Sequence, residues 1–101
     1  MITDDEIRSL TISQRLLGTR GIILIHHTDC GMLTFTDEDL LGAIERDTGV
    51  RPTWAAEAFP DLEQDVRDSI KRITDSPFIK NKGSVRGFVI DVATGKLNEV
   101  R

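Results

Sequence analysis

The spacing of apolar residues changes along the chain, and each change marks an element. Thr3 and Glu6 stand at the spacing of a capping box, with Asp4 and Asp5 in the first turn, where the helix dipole favours acids. A helix is predicted over 4–17, with Gly18 as its C-terminal stop. Ile7, Leu10 and Leu17 share one side while Ile12 and Leu16 point elsewhere, so cover on more than one side is expected. Gly21–His27 is short, aliphatic and bounded by glycine, the pattern of a strand buried on both faces of a parallel sheet. Thr36 followed by Asp37, Glu38 and Asp39 opens a second helix, with Leu40, Leu41 and Ile44 as its apolar side and Gly49 and Pro52 at its end. Thr53 is placed to cap a short helix over 54–59. Leu62, Val66, Ile70 and Ile73 then repeat at i, i+4, i+8 and i+11, the clearest amphipathic helix of the chain. Residues 76–83 read as loop. Phe88, Ile90 and Val92 alternate around Val89 and Asp91, which predicts a strand over 85–92. Thr94-Gly95 resembles a two-residue hairpin turn, with 96–100 returning. The order is that of an α/β fold: a parallel strand pair with crossover helices, plus a C-terminal antiparallel hairpin strand, in a single domain over 1–101.

Composition narrows the function classes. The 101 residues are 39% hydrophobic and 30% charged, enough for one modest core. A net charge of −4 counts against a nucleic-acid partner. The longest aliphatic run, Ile22–Ile25, is far short of a membrane span, and the acidic start Asp4-Asp5-Glu6 is unlike a signal peptide. A cytoplasmic protein with a reduced thiol is expected. The single cysteine excludes an intramolecular disulfide and any one-chain zinc site that needs two thiolates.

The candidate chemistry lies in His26-His27-Thr28-Asp29-Cys30-Gly31-Met32, at the C-terminal end of the first strand, where open α/β sheets bind ligands. His27 and Cys30 are three residues apart, so one turn can aim an imidazole nitrogen and a thiolate at a common point, as zinc requires. By itself the spacing is a weak signal, and its bland reading is a polar strand end beside a small buried thiol. His26 alternates with His27 and is expected on the opposite face. Asp29 reads as a turn carboxylate. The basic residues Lys71, Arg72, Lys80, Lys82 and Arg86 read as a solvated face, and Trp54 and Phe59 as core or interface.

The segment from Gly21 to Met32 closely resembles the zinc segment of β-class carbonic anhydrases of the actinobacterial type, with its H-x-x-C-G strand end. Leu16-Leu17-Gly18 before it and the strand Val85–Asp91 with its Thr-Gly hairpin extend the resemblance over nearly the whole chain. The resemblance implies a truncated β-carbonic-anhydrase-like fold with His27 and Cys30 as Zn2+ ligands. Gly31 would let the backbone pass close to the substrate pocket. It also implies reversible hydration of carbon dioxide to bicarbonate, the reaction of a carbonate dehydratase (a zinc lyase), and a homodimer or higher oligomer.

The departures are equally specific. The family's C-x-D-x-R strand, with a second cysteine ligand and an aspartate–arginine pair, has no counterpart here, so no catalytic residue is assigned. Zinc is expected to be weak or absent and activity impaired. A non-catalytic self-associating or partner-binding fragment is the rival reading. Either a misplaced start or a real fragment would produce this chain. With its family neighbours missing, the Ile22–Ile25 strand is expected to offer an aliphatic edge to another chain. Two copies of His27 and Cys30 would make a closed S2N2 set. Antiparallel pairing about the strand midpoints would hold the Cys30 residues about 20 Å apart, so the two arrangements exclude each other.

Overall fold

The computed structural model describes residues 1–101. Helix α1 (Asp4–Leu17) leads into strand β1 (Gly21–His27), a short 3-10 turn over Gly31–Leu33, helix α2 (Asp37–Thr48), helix α3 (Leu62–Asp75), and strands β2 (Ser84–Ile90) and β3 (Leu97–Val100). The sheet order is β1-β2-β3, with β1 parallel to β2 and β3 antiparallel. This is the expected α/β arrangement, and β1 lies at the sheet edge as expected.

Local chemistry sets the helix ends. The Thr3 amide and hydroxyl both donate to Glu6, the amide at 3.0 Å. Gly18 and Gly49 take left-handed φ values of 72° and 79°, which a residue without Cβ adopts at no steric cost. Asp61 caps α3 by accepting from the Gln64 amide at 3.1 Å.

Helix α3 lies flat on one sheet face because β2 carries Gly87 beneath it. A Cβ there would overlap Val66 Cγ1 and fall 2.9 Å from Ile70 Cδ1. Val66 and Ile73 are fully buried. Ile2, Ile7, Ile22, Ile73 and Ile79 form the adjoining core, with Leu10, Leu24 and Val85 packed against it. The buried Gln14 ties α1 to the loop after α3, accepting from the Lys80 and Asn81 amides at 3.0 Å and donating to the Asn81 carbonyl at 2.9 Å.

Four local expectations change. The other face of the sheet is open: Ile23 is 63% exposed and Ile25 56%, so β1 is covered on one face only. An unbroken aliphatic run identifies a strand suited to burial on both faces, but not whether both are covered. Leu16 and Leu17 are exposed, so α1 too is covered on one side. Residues 54–59 form no helix. The Asp37 carboxylate accepts the Glu57 and Ala58 amides at 3.1 and 2.8 Å, Phe59 donates to the Met32 carbonyl at 3.2 Å, and Glu57 sits at φ 62°. These donors are bound outside any helical ladder. Finally, β2 ends at Ile90 and the hairpin connection runs over 91–96. Asp91 starts it, accepting from the Ala93 amide on its side chain at 2.8 Å and from Gly95 on its carbonyl at 2.7 Å.

The open face has a measurable consequence. A monomer of this mass exposes about 5,700 Å², whereas this chain exposes 6,845 Å². Its radius of gyration is 15.6 Å, against about 13 Å for a compact chain of this length.

Candidate metal-donor turn

Alternation along β1 decides which histidine faces where. Ile22, Leu24 and His26 point toward α3, and Ile23, Ile25 and His27 toward the open face. The two histidines therefore part, as the sequence predicts. The imidazole of His26 is nearly buried and meets Asp65 of α3, Nε2 to Oδ2, at 2.6 Å. The Met1 α-amino group lies 2.8 Å from the same oxygen and 2.7 Å from His26 Nε2.

His27 is exposed, and its Nδ1 lies 2.8 Å from the Thr28 carbonyl oxygen. A carbonyl only accepts, so Nδ1 carries the hydrogen and Nε2 keeps its lone pair. That is the tautomer a metal-binding imidazole needs, fixed by a hydrogen bond from its other nitrogen. Cys30 is a free, half-buried thiol. Both residues line one cavity of about 250 Å³, with Leu24, Ile25, Met32 and Phe59 supplying apolar walls. Between them Asp29 holds φ 54°, the left-handed bend that turns the chain after the strand. Aspartate tolerates this conformation better than most residues. Gly31 begins the 3-10 turn, has open space where a Cβ would sit, and is absent from the cavity wall.

The turn is held from outside by residues that no sequence motif marks. The Thr28 amide donates to the Ile90 carbonyl at 3.1 Å, and its hydroxyl accepts from the Val92 amide at 3.1 Å. Phe59 binds the Met32 carbonyl through its amide, and its ring lies 5.8 Å from that of His26. These partners are up to 64 residues apart in the chain.

His27 and Cys30 match zinc in donor chemistry, but they are two, and nowhere does the structure gather three His, Cys, Asp or Glu side chains around a common point. A catalytic zinc takes three protein ligands and keeps a fourth position open. The 101 residues alone do not complete a catalytic zinc site. They supply half of a tetrahedral set.

The architecture is that of the β-carbonic-anhydrase fold. A solved carbonic anhydrase from Streptococcus mutans superposes with a TM-score of 0.89 at 40% identity, over 99% of this chain and 61% of that one. In sequence, the chain is homologous across its length to β-carbonic anhydrase 1 of Mycobacterium tuberculosis (strain ATCC 25618 / H37Rv), at 66% identity over 100 residues. A carbon disulfide hydrolase of Acidianus sp. (strain A1-3) is 43% identical over 53 residues, 52% of this chain and 26% of that protein. No family model matches the sequence. The chain covers 61% of the length of the mycobacterial relatives. The expected resemblance is thereby established, and the fold matches about three fifths of a β-carbonic anhydrase.

Proposed function

We propose that the chain is a β-carbonic-anhydrase-type zinc protein whose inherited activity is reversible hydration of carbon dioxide to bicarbonate, impaired in these 101 residues. The observation that carries this reading is the His27–Cys30 turn. A free imidazole Nε2 and a thiol line one cavity at the C-terminal end of a parallel strand, in a chain 66% identical to a β-carbonic anhydrase. Zinc bound in such enzymes lowers the pKa of its water to about 7. Impairment follows from the donor count: one cysteine and one outward-facing histidine. Gly31 is assigned to the backbone between Cys30 and Met32, which line the pocket while Gly31 itself does not; the proposed location is cytoplasmic. Stopped-flow hydration assays of the isolated chain with added zinc test the activity. A rate at or only slightly above buffer is expected, and full enzyme-like turnover would overturn the impairment.

A second reading is favoured by a separate observation, the open sheet face and free β1 edge. The chain exposes about 1,100 Å² more than its mass predicts, and a standard interface buries about 800 Å² per partner. The reading is a self-associating, non-catalytic module, a homodimer or higher. Sedimentation of wild type and Ile25→Lys tests it. A concentration-dependent oligomer weakened by the charge is expected, and a monomer at high concentration would overturn it.

A further inference from the structure

Asp65 lies outside the candidate donor set, on a different element, and yet is nearly buried against the strand that carries it. From this geometry we infer that Asp65 is a positioning residue: acting through His26, it clamps the end of β1 and holds the His27–Cys30 turn in place. The functional meaning rests on the proposed reading of His27 and Cys30 as donors, while the clamp itself stands on geometry alone.

Asp65 Oδ2 lies 2.6 Å from His26 Nε2 and 2.8 Å from the Met1 α-amino nitrogen, which is itself 2.7 Å from Nε2; the clamp takes the first contact as an N–H donated to the carboxylate, which places the hydrogen of His26 on Nε2. The side chains are 10% and 14% exposed, where a charge-assisted hydrogen bond is little diluted by water. His26 directly precedes His27, so fixing its ring fixes the peptide from which the His27 imidazole projects. The Phe59 ring, 5.8 Å from His26, closes the other side. Its amide binds the Met32 carbonyl, two residues beyond Cys30. Thr28 ties the middle of the turn to Ile90 and Val92. The donor turn is therefore gripped before His27, between the donors, and after Cys30. The clamp thus gives adjacent histidines opposite tautomers: His26 with its hydrogen on Nε2 as an anchor, and His27 with its hydrogen on Nδ1, leaving Nε2 free.

The test uses the 101-residue chain as wild type, Asp65→Ala and Asp65→Asn. Heteronuclear NMR of the ring nitrogens, at a pH where both rings are neutral, is expected to show those opposite tautomers in wild type. In Asp65→Ala, amide hydrogen exchange at Thr28 and Phe59 is expected to accelerate about tenfold relative to Ser76, at the far end of α3, because one restraint on local opening is gone. Asp65→Asn keeps an acceptor for His26 and is expected to restore wild-type exchange. Hydrogen on Nδ1 of neutral His26 in wild type overturns the clamp. So does Asp65→Ala exchange that is unchanged, or that rises equally at Ser76. Should Asp65→Ala fail to fold, the wild-type tautomers and Asp65→Asn still decide, because local acceleration in Asp65→Asn contradicts the proposal. Zinc titration is read separately, so a failed clamp with intact zinc binding is distinguishable from a failed donor assignment.

Discussion

Substituting alanine at Gly87 tests how the sheet receives its helix. The added methyl would overlap Val66 Cγ1 and approach Ile70 Cδ1 to 2.9 Å. The Val66 contact is the one that cannot give: Val66 is fully buried, and α3 also packs through Ser69 and Ile73. Overpacking of a close-packed core costs about 1–3 kcal/mol, and the overlap puts Gly87→Ala in the upper part of that range. With an m value of about 1–2 kcal/mol/M, the urea midpoint falls by about 1 M or more. Val66→Ala alone removes two buried methyl groups and costs about 2–3 kcal/mol in transfer and cavity terms. Since it also removes the atom that the new methyl meets, the double variant is less destabilised than the sum of the singles by about 1 kcal/mol or more. Equilibrium urea unfolding of the four proteins measures the cycle. A neutral Gly87→Ala, or strict additivity, would refute the packing account.

Two further predictions concern local chemistry. The hydrogen bond from Arg86 holds the Glu99 carboxyl below its ordinary range, and the Thr3 hydroxyl does the same for Glu6. A carboxylate with a folded pKa below its unfolded one adds stability above the unfolded value and loses it as pH falls through the folded value. Urea midpoints are expected to decline on acidification below the ordinary carboxylate range, and less steeply in Glu6→Gln and Glu99→Gln; unchanged slopes in both variants would contradict this. At Asp29, φ 54° predicts that Asp29→Val destabilises by about 1–2 kcal/mol while Asp29→Gly stays within about 0.5 kcal/mol. Thermal unfolding of the pair reads the difference, and equal losses would count against a left-handed turn.

Much of the fold was legible because its causes are local. The Thr3/Glu6 pair, the left-handed glycines 18 and 49, and the apolar repeat from Leu62 to Ile73 each act within a few residues, so those helices end where the sequence predicts. The alternation that separates His26 from His27 is a property of any strand. Cover is different. Ile23 and Ile25 have the composition of doubly buried positions, and only the assembled chain shows one face of the sheet bare. Likewise Asp37 takes the Glu57 and Ala58 amides from 20 and 21 residues away, against the local signal for a helix at 54–59. The donors themselves lie within one motif, but the residues that hold them do not. Asp65 is 39 residues from His26, and Thr28 meets Val92 across 64.

Zinc titration of the isolated chain, with His27→Ala and Cys30→Ala alongside, decides whether the His27–Cys30 turn holds metal. Native mass spectrometry then separates metal-free chain, one zinc per chain and one zinc shared by two. Wild type is expected to bind zinc, more weakly than a complete site would hold it, and either variant to lose it. Stoichiometric zinc retained by both variants, or none in wild type at excess metal, would contradict it.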